Sequence, residues 1–167
     1  MSNYLNVFGK PLFGIMVVLI FQSCENQHNT TSEIDKVSKD SISEIEIKKT
    51  IEDLYEVYSK SDLQWVDFYK DKYNIVSGNG TVKTINRDSL RVYWKNMYEK
   101  YNVILNNRGK PILSVSGNQA FHYNTFDEIL INKTTNDTIE NIGTWVVLWK
   151  KQKDGSWKIE FETYNAK

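Results

Sequence analysis

In the last third of this sequence, the candidates for moving a proton or holding a metal are His122, Asp127, Glu160 and Glu162. His122 and Asp127 fall on one expected strand at an odd separation. Side chains alternate along a strand, so the two point to opposite faces and form no dyad there. Asp127 shares its face with Phe121, Tyr123, Thr125 and Ile129, the face better suited to line a cavity. An acid among such residues could transfer a proton with a raised pKa. The simpler reading is an inert, hydrogen-bonded acid at the open end of a sheet, and the lack of partner residues favours it. Glu160 and Glu162 alternate with Ile159 and Phe161. A carboxylate pair is conceivable, but a solvated or dimer-facing outer surface fits a half-buried sheet better. His122 lies on a face with Asn124 and Phe126, with no second histidine near it. His28 sits in a polar stretch without neighbouring ligands. Neither reads as a metal ligand, and no cofactor is expected.

The second group is aromatic. Aromatic residues make up 13% of the chain, with Trp 5 and Tyr 10, enough to shape any interior. Tyr55, Tyr58, Trp65, Tyr69, Trp94, Tyr123, Trp145 and Trp149 could wall one cavity, with Asp127 pointing into it. Flat amphipathic side chains suit a ring-containing ligand, and they suit an ordinary core equally well. Residues 145–149 (WVVLW) are apolar on both faces. A strand of that kind needs cover on each side, the core on one and a homodimer partner on the other.

Elements must position these groups. Ile47, Ile51, Leu54, Tyr55 and Tyr58 fall at i, i+4, i+7, i+8 and i+11, and Leu90, Trp94, Met97, Tyr98 and Tyr101 repeat the spacing. Each set predicts a helix with one apolar face. Ser43 with Glu46 has the capping-box pattern for the first helix, and Asp88 suits the N-cap of the second. A short helix over 62–69, a short strand over 73–77 and a Gly78-Asn79-Gly80 turn lie between them. Residues 112–116, 120–131, 139–151 and 157–164 then read as strands, rich in branched and aromatic residues. Short turns join them, at Ser116-Gly117-Asn118, at 134–137 and at Lys153-Asp154-Gly155, so these neighbours run antiparallel. Helices followed by a meander predict an α+β domain with helices on one sheet face.

The N-terminus resembles a bacterial lipoprotein signal. Lys10 precedes the apolar run PLFGIMVVLIF over 11–21, and Gln22-Ser23 leads to Cys24, the one cysteine. The run fits the apolar part of a secretory signal and is shorter than the roughly 20 residues that cross a bilayer. Phe21 stands where leucine is usual in such signals, and Gln22 is larger than the common choice. The resemblance implies a signal over 1–23 and a lipidated Cys24. Stable anchoring takes more than one acyl chain, and the resemblance implies a Cys24 carrying two or three. The protein is then expected in the bacterial cell envelope, attached to a membrane and facing out of the cytoplasm. Residues 24–42 are polar and lack aromatics, and read as a flexible tether. Residues 43–167 are long enough for one domain. Formal net charge is zero and no long basic run occurs, which argues against nucleic acid as a partner.

The domain resembles the nuclear transport factor 2-like superfamily, in particular its SnoaL-like members. The resemblance rests on the first helix ending near Ser61-Asp62-Leu63, on the segment Trp65 to Tyr69, and on the terminal GTWVVLWKKQKDGSWKIEFE with Trp149, Asp154-Gly155 and Trp157. It implies a cone-shaped, curved antiparallel sheet packed against about three N-terminal helices, with a cavity between them. In the ketosteroid isomerase branch a first-helix tyrosine and a protonated acid polarise a carbonyl while an aspartate moves the proton. Tyr55 stands near the tyrosine position. The base would fall near Val76 or Ser77 and the second acid in 145–147, where no acid occurs. The reading is therefore an envelope lipoprotein whose domain binds a small apolar or aromatic ligand, or a partner protein, without catalysis. The rival is a cofactor-independent proton-transfer enzyme of isomerase, cyclase or dehydratase type, using Asp127 and a cavity tyrosine. A third reading is a structural dimer with a filled cavity.

Overall fold

The structure, a computed structural model, describes residues 27–76 and 80–166. The leader, Cys24 and most of the Gly78-Asn79-Gly80 turn lie outside the described residues.

The first helix, α1 (Gln27–Ser59), presents Ile47, Ile51, Leu54 and Tyr55 to the core on the predicted stripe. It starts inside the segment read as a tether. No proline or glycine interrupts residues 27–42, and a helix anchored by a buried half extends at low cost. Ser43 is consequently a buried residue within the helix rather than its cap. Asp40 also touches the domain, its carboxylate accepting from the Gly117 N–H at 2.8 Å. The helix stops at Ser61, whose φ of 55° reverses the chain while Ser61 and Asp62 donate back to Tyr58 and Val57. The Asp62 carboxylate then caps a short 3₁₀ helix (Leu63–Phe68) through the Gln64 N–H.

Strand β1 (Tyr69–Val76) pairs with β2 (Val82–Asn86), which leads into α2 (Arg87–Lys100). The N-cap of α2 is Asn86, whose side chain accepts from the Asp88 N–H at 2.8 Å. Asp88 lies in the first turn instead, where a negative charge favours the helix dipole. The chain continues through β3 (Tyr101–Arg108), β4 (Ile112–Ser116), β5 (Gln119–Asn132), β6 (Thr138–Lys151) and β7 (Trp157–Ala166).

One sheet takes the order β2-β1-β7-β6-β5-β3, with β4 also on β5. It is mixed rather than wholly antiparallel, because β1 runs parallel to β7. Short turns dictate the orientation of the later hairpins only. β1 and β7 are far apart in sequence and joined by no turn, so tertiary packing sets their direction. The two strands not anticipated, β2 and β3, have one or both faces largely exposed.

The helices cover the inner face of the curved sheet. Ile47, Ile51 and Leu54 of α1 join Trp65 and Val66 of the 3₁₀ helix and Ala120, Val147, Trp149, Trp157 and Ile159 of the sheet in the core. The outer face carries Ile104, Ile112, Phe121, Tyr123 and Ile142 exposed.

Candidate functional site

Beside this core the helices and the inner sheet face part to leave a cavity of about 740 Å³. Its position explains α2. Of the predicted apolar stripe, Leu90, Trp94 and Met97 face the cavity rather than packed atoms, so α2 has no fully buried residue, and Tyr101 lies beyond the helix as the first residue of β3.

The wall is a nest of edge-on rings. Trp65 meets Tyr58 and Trp94 with ring centroids 5.3 Å apart in each pair, at interplanar angles of 79° and 88°. Tyr69 lies against Trp65 at 5.8 Å and against Tyr73 at 4.6 Å. Edge-to-face contacts of this kind lock the rings beyond their area burial. The Trp65 indole N–H is satisfied by the Tyr98 hydroxyl at 3.0 Å.

Two acids enter this wall from the sheet. Glu128 of β5 accepts from the Tyr58 hydroxyl at 2.7 Å on one oxygen and from the Asn141 amide at 2.9 Å on the other. Glu162 of β7 accepts from the Tyr69 hydroxyl at 2.7 Å and from the Trp145 indole at 2.8 Å, both on Oε2. No described residue hydrogen-bonds its Oε1. Both acids are buried, 8% and 6% exposed, and neither forms an ion pair among the described residues. Burial pushes both carboxyls above the usual range, against the hydrogen bonds that favour the charged form. Burial likewise drives Tyr58 and Tyr69 well above the ordinary tyrosine value, and the neighbouring carboxyls add to it. Each hydroxyl is therefore a fixed donor to its acid at neutral pH.

No family model matches this chain, and no curated protein matches its sequence. Solved structures do match. A conserved protein from Planctomyces limnophilus superposes with a TM-score of 0.65 at 10% identity, over 76% of this chain and 99% of that one. A nuclear transport factor 2-like superfamily protein from Salmonella enterica gives 0.56 at 16% identity, over 72% and 90%. A ketosteroid isomerase-like protein from Erwinia carotovora atroseptica gives 0.58 at 14%, over 73% and 94%. The domain has the nuclear transport factor 2-like fold.

Within this fold, Tyr55, Tyr58, Trp65, Tyr69, Trp94 and Trp145 all line the cavity. Three other expected site residues do not. Trp149 is fully buried in the core, its indole N–H donating to His122 Nδ1 at 2.7 Å. Tyr123 is 38% exposed on the outer face. Asp127 shares that face, with the Asn106 amide 3.5 Å away. The inner residues of β5 are His122, Asn124, Phe126 and Glu128, in register with Val147, Trp145, Gly143 and Asn141 of β6. The outer residues of β5, Phe121, Tyr123 and Ile129, are its more apolar set, so apolarity alone points to the wrong face as the inner one. His122 is thus an interior group with both ring nitrogens hydrogen-bonded.

Glu162 was misplaced for a different reason. In the β6–β7 ladder Trp149 pairs with Ile159 and Leu148 with Phe161, so Glu160 is an extra residue. This bulge shifts the alternation by one. Ile159 faces inward before it and Glu162 after it, while Glu160 turns outward to pair with Lys70 at 2.8 Å. The two glutamates therefore share no face.

The His122 network closes the inner end of the sheet. Because Nδ1 accepts from Trp149, the ring proton sits on Nε2 and donates to the Asn124 carbonyl at 3.2 Å. The Asn124 amide donates to the Tyr55 hydroxyl at 2.9 Å, and Arg108 lies 4.1 Å over the Tyr55 ring. Burial lowers the His122 pKa to about 4, so the ring is neutral at pH 7. Among the described residues no cluster of histidine, cysteine and acid side chains could hold a metal.

Proposed function

We propose that this domain binds a small, ring-containing, largely apolar molecule in the cavity and does so from the cell envelope, anchored through lipid on Cys24. One observation carries the binding reading: rings held edge-on line a space of about 740 Å³ into which two buried carboxyl groups project. Such a mix of apolar wall and a few fixed polar groups is what a small-molecule site requires. The outer sheet face, with Phe121, Tyr123, Ile112 and Ile142 exposed, is the surface on which a second copy would pack.

Native mass spectrometry of the full chain, purified without denaturation, tests both parts. The expected spectrum shows two copies and a small molecule that dissociates on activation. A bare monomer, together with no thermal shift from any of a panel of charged and uncharged ring compounds, would overturn the reading. The anchor has its own test. Cys24→Ala is expected to abolish incorporation of labelled fatty acid, and undiminished labelling would count against attachment there.

A second reading is proton transfer, with Glu162 in place of Asp127. It is favoured by Glu162 Oε1, to which no described residue hydrogen-bonds and which can therefore meet a substrate proton. Turnover of a bound ring compound, lost in Glu162→Gln while binding persists, would distinguish catalysis from binding alone.

A further inference from the structure

We propose that the ligand of this cavity is a cation: a ring-bearing organic ammonium ion whose nitrogen sits between the Glu162 carboxylate and the surrounding aromatic rings. The inference rests on the cavity being a binding site and names the class of molecule it takes.

Charge balance is the first ground. Glu128 and Glu162 both line the cavity, both are more than nine-tenths buried, and neither meets a basic side chain in an ion pair among the described residues. A buried carboxylate without a countercharge is costly. Among the described residues the basic one that lines the cavity is Lys83 of β2, an exposed side chain, whose charge solvent and salt screen. An anionic ligand would add a like charge beside two carboxyls. A neutral one would leave both acids to stay protonated. An ammonium ion supplies the missing countercharge.

Geometry is the second ground. Tyr69 and Trp145 both donate to Glu162 Oε2, which leaves Oε1 available to an incoming donor. An ammonium N–H there forms a charge-assisted hydrogen bond, stronger than a neutral one. The wall is the third. Rings set edge to face around a cavity turn some of their faces inward, and ring faces attract cations most strongly where water is excluded. Tyr58, Trp65, Tyr69, Trp94 and Trp145 bring this property to the same space as the acids.

The test compares two molecules of one shape. Protonated N,N-dimethylbenzylamine and isobutylbenzene differ in charge and in one N–H donor. Each is titrated into the full chain at pH 7.5 and followed by tryptophan fluorescence and calorimetry. The amine is expected to bind about tenfold or more tightly than the hydrocarbon. Glu162→Gln should remove most of that preference by weakening the amine, and its unfolding curve reports that the variant is folded. Equal or tighter binding of isobutylbenzene to the unaltered chain would overturn the cationic ligand and leave the binding site standing. A preference undiminished in Glu162→Gln would overturn the role given to Glu162. Saturable binding of neither molecule would count against the binding site itself.

Discussion

Trp149→Ala is expected to destabilise the domain by about 3–5 kcal/mol, the usual range for removing a large buried aromatic. Trp149 is fully buried, cross-strand from Ala120 on one side and Ile159 on the other. Truncation leaves a hole at the centre of the sheet's inner face. It also strips His122 Nδ1 of its 2.7 Å donor in a place water does not reach. Trp149→Phe separates the two effects. It keeps most of the ring and loses the hydrogen bond, so it should cost about 1–3 kcal/mol. Urea unfolding at pH 7 measures both, and a loss under about 1 kcal/mol for the alanine variant would contradict this account of the core. The pH dependence follows from His122. Its folded value of about 4 lies below the ordinary 6.5, so the unfolded chain takes up a proton that the folded chain refuses. This contribution is complete above about 6.5 and is lost as the pH falls toward about 4.

Glu162→Gln is expected to act in the opposite direction, stabilising the ligand-free domain by about 1–3 kcal/mol at pH 8, the scale of an uncompensated buried polar group. At pH 4 it should change stability little. Burial raises the folded carboxyl's pKa above the ordinary 4.5, so the folded state holds its proton more tightly than the unfolded chain does. The contribution is therefore full below the unfolded value and is lost as pH rises through the folded one. Glutamine cannot ionise, yet its carbonyl oxygen can accept from both Tyr69 and Trp145 as Glu162 Oε2 does. Denaturant unfolding at the two pH values decides the matter. An equal change at both would mean that the effect is one of packing and not of charge. A variant more stable yet poorer at binding ammonium would fit a group kept for its ligand at a cost to the fold.

The short-range features were legible in the chain. Residues 112–116 form β4 as read, the long strands β5, β6 and β7 keep their expected bounds to within a few residues, and both helical stripes face inward except for Tyr101, which opens β3. Six of the aromatic residues picked for a cavity line it. These features depend on periodicity and turn chemistry, which act over a few residues, so their signals lie next to one another in the chain. The start of α1 was not legible, because a polar stretch without proline or glycine can be coil or helix until a buried neighbour extends it. Nor was the parallel pairing of β1 with β7, which no turn constrains.

The site's chemistry lay beyond reach for the same kind of reason. Glu128 faces inward because the inner face of β5 carries polar groups that find partners on α1 and β6, at Tyr58, Tyr55 and Asn141. The sequence by itself determined a curled sheet backed by helices with aromatic walls. Only the tertiary structure decided which acids face the cavity. A side chain's face in a strand depends on register, and one extra residue at Glu160 reverses it for all that follows.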